Sequence, residues 1–197
     1  MYPKVLTQLI EEFKKLPGVG NKTAERYALH ILSLSQESVQ DLSSQIVETK
    51  NTITPCHRCG NFTQAELCDI CLDNTRDNTL LCVVAYPKDI LAIERINQFN
   101  GVYHVLGGLI SPINQVMPED LNIESLIEKV NHEVEEVILA LNPTMEGETT
   151  IYYIAKKLQD KANVTVLAQG LPMGGNLEYI DEMTLTRSMK NRKKYDF

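Results

Sequence analysis

The sequence predicts an α/β protein that opens with an all-α region and carries a small four-cysteine motif between the two parts. Three observations lead there. Leu6, Leu9, Ile10, Phe13 and Leu16 recur at helical spacing near the N-terminus. Two Cys-x-x-Cys pairs, Cys56/Cys59 and Cys68/Cys71, follow the helical region. From Leu80 onward, short apolar runs alternate with amphipathic segments, which is the pattern of a mostly parallel sheet with helices on both faces.

The elements follow in order. The first helix spans residues 4–16 and is broken by Pro17-Gly18-Val19-Gly20. A second covers 22–34, with Ala24, Tyr27, Ala28, Ile31 and Leu32 inward and Asn21 as N-cap. A third covers 38–51 and buries Val39, Leu42, Ile46 and Val47. Thr54-Pro55 ends the helical region. Strands are then expected at 80–85, 102–106, 137–141 and 164–168, and helices at 90–99, 124–131, 150–158 and 183–192. The chain divides into a helical region (1–54), a cysteine motif (55–72), an α/β domain (79–170) and a C-terminal loop and helix (171–197).

Charge and composition narrow the function. A net charge of −7 argues against a protein that holds nucleic acid by overall positive charge, but leaves room for a local basic surface. A hydrophobic content of 43% is that of an ordinary globular protein. The start Met1-Tyr2-Pro3-Lys4 lacks the pattern of a secretory signal, and no apolar run is long enough to cross a bilayer. A cytoplasmic protein with reduced thiols is expected.

Eight residues separate the two Cys-x-x-Cys pairs. Each pair presents two thiolates from one tight turn, and two facing turns make a tetrahedral sulfur cage. That suits one structural Zn²⁺ per chain, held by Cys56, Cys59, Cys68 and Cys71 with no position left open for a substrate water. Disulfides would need an oxidising compartment, and a thioredoxin-like site needs one such pair at a strand–helix junction. Four cysteines suffice without His57, and Cys82, inside the run Leu80–Val84, reads as a buried small hydrophobe.

Leu16-Pro17-Gly18-Val19-Gly20-Asn21-Lys22 lies between two helices. Its two glycines permit positive φ and leave the backbone bare. The following helix offers unpaired N–H groups and its dipole to an anion, and a DNA phosphate fits without any base being read. Lys22 and Arg26 are one turn apart on that face. The stretch can also be a plain αα-corner. It resembles the helix-hairpin-helix family of non-sequence-specific DNA-binding elements, whose hairpin reads LPGxG. Lys14 and Lys15 are secondary candidates.

The strand Val137–Leu141 runs into Asn142-Pro143-Thr144-Met145-Glu146-Gly147-Glu148, which resembles the Toprim domain of topoisomerases and primases. There the loop carries Asp-x-Asp and an earlier strand ends in Glu, and these acids hold Mg²⁺ for phosphoryl transfer. Here Asn142 and Thr144 stand at the two Asp positions and Ala85 at the Glu position. An amide, a hydroxyl and a methyl group do not supply that charge, so metal-dependent strand cleavage is not expected. Asp89, Glu146 and Glu148 remain, either as a surface for a basic partner or as solvated acids.

The segment 169–185, QGLPMGGNLEYIDEMTL, is a glycine-rich loop followed by a helix start, with Asp181 placed to cap and Glu182 at the dipole. No Lys-Ser/Thr follows the glycines, so it is not a Walker A loop. The basic tail, Arg187, Lys190, Arg192, Lys193 and Lys194, reads first as a solvated helix end.

Together with Tyr103–Gly108, Ile110-Ser111-Pro112 and Pro118-Glu119-Asp120, the segment 169–185 is similar to the RecR family of bacterial recombination mediators. The resemblance covers nearly the whole chain in the family's order of motifs. It departs at Ala85, at Asn21 where Pro is common, and around Met117.

The resemblance implies a non-enzymatic, cytoplasmic, nucleoid-associated protein of recombinational DNA repair. It implies a clamp-like homo-oligomer, commonly a tetramer built from dimers. Such proteins act with RecO, and in some settings RecF, to load RecA onto single-stranded DNA. By this reading Gly18, Gly20, Lys22 and Arg26 meet DNA, single- or double-stranded, and Asp89 and Glu146 meet RecO. The competing readings are a Toprim-type nuclease or primase-like enzyme, and a zinc-stabilised scaffold without DNA contact.

Overall fold

The computed structural model describes residues 2–130, 133–168, 170–171, 174–192 and 194. It divides into two compact units, residues 1–53 and 54–197, and each is described by itself.

In the first unit, α1 (Lys4–Lys14) and α2 (Asn21–Ser33) pack together. Ala24 and Ala28 are fully buried on the inner face of α2, where small side chains let the helices approach closely. Phe13 and Tyr27 meet edge to face at 5.8 Å. The N-cap of α2 is Gly20, not Asn21, which lies inside the first turn; Gly20 takes the extended backbone that a cap needs (φ −85°, ψ 174°).

α3 (Gln36–Thr52) starts two residues before its expected position because Ser35 caps it, its hydroxyl accepting from Ser38 N. Its expected inward stripe is not buried. Leu42, Ile46 and Val47 are 45%, 62% and 59% exposed, since within this unit α3 finds no packing comparable to the α1–α2 pair.

The second unit begins with a short antiparallel pair, β1 (Thr54–Pro55) and β2 (Phe62–Thr63), and a one-turn helix, α4 (Asp69–Leu72). Four parallel strands follow: β3 (Asp77–Val84), β4 (Gly101–Val105), β5 (Glu136–Leu139) and β6 (Asn163–Val166), in spatial order β4-β3-β5-β6. Between them run α5 (Pro87–Glu94), α6 (Ile123–Lys129) and α7 (Met145–Leu158), and α8 (Glu182–Lys190) follows β6.

The period-2 alternation of β3 builds two cores. Leu81 and Val83 face a large cluster with Val137, Leu139, Ile123 and Leu126 of α6, and Ile154 and Leu158 of α7. Cys82 and Val84 face the other way, onto Tyr103, Val105 and Ile90 of α5. Helices therefore cover both sides of the sheet. Cys82 is the expected buried hydrophobe; burial pushes its thiol up to about 12, so it stays protonated.

α7 begins five residues before the expected 150. Thr144 is its N-cap, accepting from Gly147 N, and Glu146 and Glu148 lie in its first turn. Gly147 is required by close approach: a Cβ there would collide with the carbonyl oxygen of Asn142. Asp181 caps α8 as expected, accepting from Thr184 N at 2.9 Å, and its hydrogen bonds to Thr184 hold its carboxyl below the usual range. Gln169, Pro172 and Met173 of the glycine-rich loop and Lys193 of the tail lie outside the described residues. Among the described residues no helix is long and apolar enough to cross a membrane.

His104 in β4 is 5% exposed and its Nε2 lies 2.7 Å from the carbonyl oxygen of Asn122. Burial, with the nearby Lys129 charge assisting, draws the ring down to about 4 from 6.5. The unfolded chain then binds more protons than the folded one between those values. Stability is full above about pH 6.5 and falls as pH drops toward 4. By pH 5.5 the loss from this group is about 1.4 kcal/mol. Urea unfolding of the parent and of His104→Gln, both with excess zinc, checks this: the variant's midpoint should fall less between pH 7 and 5.5.

Candidate functional site

The cysteine cage is built from two knuckles. Cys56 and Cys59 sit on the turn between β1 and β2, closed by Gly60 N donating to Cys56 O at 2.8 Å. Cys68 precedes α4 and Cys71 lies within it. All four are buried, and their sulfurs lie within 4.8 Å of one another. Cys59 Sγ and Cys68 Sγ are 3.6 Å apart, against about 3.8 Å for two sulfurs on a tetrahedral zinc. None is disulfide-bonded.

Backbone N–H groups point at the sulfurs: Asn61 N at Cys59 Sγ, 3.4 Å, and Cys68 N at Cys56 Sγ, 3.3 Å. Burial opposes ionisation of Cys56, but the N–H groups of Cys68, Cys59 and Arg58 outweigh it and bring the thiol down to about 6. At Cys59 the hydrogen bond with Cys71, and then burial, push the thiol up. Crowded thiols cannot all ionise without a cation. A divalent ion that prefers sulfur resolves the conflict by displacing the protons. His57, exposed and 3.8 Å from Glu66, is not part of the cluster.

An Arg-centred network ties the exit of this motif to the sheet. Arg76 donates to both Glu94 carboxylate oxygens, at 2.8 and 2.6 Å, and Glu94 also accepts from Tyr103 OH at 2.6 Å. The guanidinium holds the Glu94 carboxyl below its usual range.

The hairpin occupies residues 15–20. Gly18 has φ +76°, which favours glycine, whereas Gly20 does not take positive φ, and its bareness leaves space instead. α2 has no side-chain cap, so its first N–H groups stay open to an anion. Lys22 and Arg26 are both exposed, the Arg26 guanidinium lying over the Tyr27 ring at 5.8 Å. Neither forms an ion pair among the described residues. Lys14 and Lys15 differ: each pairs with a glutamate one turn back, at 2.9 and 2.7 Å.

Asp89, Glu146 and Glu148 follow the C-terminal ends of β3 and β5, the two strands between which the strand order reverses. Asp89 follows β3 and accepts from Tyr86 N at 2.9 Å, capping α5. Glu146 and Glu148 follow β5, and Arg187 of α8 pairs with Glu148 at 3.0 Å. Ala85 is buried, and Thr144 is engaged as a cap. A cavity of about 400 Å³ opens beside β5 and β6, lined by Leu141, Asn142, Leu167, Met183 and Arg187 among others. No described residue in its lining carries a carboxylate.

Four family models match in sequence along the chain. They are a RecR helix-hairpin-helix (residues 6–50), a RecR four-cysteine zinc finger domain (53–73), a Toprim domain (79–168) and a RecR C-terminal segment (170–193). Among curated relatives, the recombination protein RecR of Prochlorococcus marinus strain MIT 9312 is 48% identical over 98% of both chains. That of Gloeothece citriformis is 46% identical over the full length of both.

Proposed function

Because the chain belongs to the RecR family of recombination proteins, we propose that it grips DNA phosphates with its α1–α2 hairpin and acts as a recombination mediator without breaking or making a covalent bond. The observation that carries this reading is the hairpin itself. Gly18 sets the turn, Gly20 leaves the helix end uncovered, and Lys22 and Arg26 stand beside it without carboxylate partners among the described residues. The structural zinc of the four-cysteine motif braces the chain and takes no part in chemistry.

One hairpin makes few phosphate contacts and is weak. We propose that several are combined in a clamp-like homo-oligomer, a tetramer in the simplest case, so that effective concentration supplies the affinity. The exposed stripe of α3 supports such assembly: Leu42, Ile46 and Val47 form an apolar face that the described residues of the single chain leave open. Basic residues facing a shared hole also reconcile DNA binding with a net charge of −7.

Asp89 and Glu146 are proposed to meet a RecO-type partner, with RecF in some settings, so that RecA is loaded onto single-stranded DNA in the cytoplasm, at the nucleoid. The enzyme reading has less support. Asn142, Thr144 and Ala85 provide no anionic charge, and Asp89, Glu146 and Glu148 do not form a group that closes on one ion.

Titration of labelled single- and double-stranded oligonucleotides across roughly 50 to 200 mM salt tests the proposal. Each engaged phosphate should add about 0.7 to 0.9 to the slope of log affinity against log salt. Binding that is absent at low salt, or independent of salt, would remove the reading.

A further inference from the structure

Lys129, at the end of α6, places an ammonium group in a partly buried position against the zinc motif. Its Nζ donates to Arg58 O, between Cys56 and Cys59, and to Tyr103 O in β4, both at 3.1 Å. It lines a cavity of about 800 Å³ with Arg58, His104, Asn122, Glu128 and Glu133. Among the described residues no carboxylate reaches ion-pair distance of it. A cation withdrawn from water without an opposite charge is costly.

A cage that holds zinc would supply the missing charge. Four thiolates around one divalent zinc leave a net charge of about −2. The exposed Arg58 donates to Cys71 O at 3.2 Å and provides one compensating cation. Lys129 provides another from the α/β side.

We propose that Lys129 is a counter-cation of the zinc–tetrathiolate and a positioning residue that couples zinc occupancy to the sheet. The inference rests on zinc in the cage. The route to the sheet is short. Tyr103 O is held by the same ammonium that holds the first knuckle, and Val105 N donates to Cys59 O at 2.8 Å. A positive charge here favours thiolate over thiol, and thiolate is the form that keeps the metal. Glutamine, one bond shorter, keeps a neutral N–H donor but does not stabilise the anion, whereas arginine keeps both donor and charge. That difference separates a charge role from a purely structural clamp.

The test uses the full chain, with zinc content measured first. Zinc transfer to a colorimetric chelator at fixed pH is followed for the parent, Lys129→Met, Lys129→Gln and Lys129→Arg, together with the pH at which zinc is half released. Met and Gln should transfer zinc about 10- to 100-fold faster and release it at higher pH, while Arg stays near the parent. A Gln variant that matches the parent in rate and midpoint overturns the proposal.

Should the neutral variants fail to fold, acetylation of the parent decides. Lys129 should react slowly in the zinc form and at least about tenfold faster after chelation, with Lys156 and Lys157 of α7 unchanged as controls. Equal reactivity in both forms overturns the proposal. A parent without stoichiometric zinc would instead overturn the zinc reading itself, and this inference with it.

Discussion

Replacing Cys59 with serine should abolish stoichiometric zinc and lower the melting temperature by on the order of 10 °C. Cys59 is 2% exposed and its sulfur lies against that of Cys68. A serine hydroxyl at that place stays protonated and does not bind zinc as a thiolate does. The damage should spread because the knuckle is bonded into the sheet. Cys59 O accepts from Val105 N at 2.8 Å, and the next residue, Gly60, has φ +79° with Val105 Cβ 3.1 Å from the place of its own absent Cβ. Metal analysis with thermal unfolding checks this, and Cys82→Ser is the control. That variant buries a hydroxyl and loses stability, but it should keep its zinc, because Cys82 faces Val84 and Tyr103 instead of the cage. A Cys59→Ser protein that keeps one zinc and melts with the parent would contradict the assignment.

The second large effect is on DNA. The double variant Lys22→Ala/Arg26→Ala should bind oligonucleotides roughly 100-fold more weakly at low salt, with a salt slope smaller by about 1.4 to 1.8 per engaged hairpin. Neither side chain is part of the buried face of α2, which is made by Ala24 and Ala28, so folding should be preserved. Lys14→Ala/Lys15→Ala is the matched control. Those charges are partly offset by Glu11 and Glu12 and should matter far less. Loss of affinity in the control and not in the test pair would move the DNA surface to the other helix. Fluorescence anisotropy with circular dichroism as a fold check is sufficient.

Much of the fold was legible because its signals are local or periodic. The four-cysteine spacing, the break at Pro17–Gly20 and the alternation of apolar strands with amphipathic helices each have one dominant physical reading. The features that were missed depend on partners distant in sequence. The stripe Leu42, Ile46, Val47 shows that α3 has an apolar face but not what covers it, and among the described residues of the single chain it stays exposed. Arg76 and Glu94 are 18 residues apart, and Lys129 meets Arg58 across 71. Neither meeting has a sequence signature.

Two other features were within reach of the sequence. Thr144 followed by Glu146, Gly147 and Glu148 is a readable helix start, which places α7 earlier than its apolar period suggests. The run Glu11-Glu12-Phe13-Lys14-Lys15 also announces its two i,i+3 pairs.

The proposed function rests on one contrast: a hairpin with an uncapped helix end beside Lys22 and Arg26, and a sheet edge at which Ala85, Asn142 and Thr144 offer no carboxylate. Incubating supercoiled plasmid with the purified protein and Mg²⁺ or Mn²⁺, at salt low enough for binding, tests it most directly. The plasmid should be bound, and recovered fully supercoiled after the protein is removed. Nicked or linear product that depends on the metal and disappears in Glu146→Ala would contradict this reading.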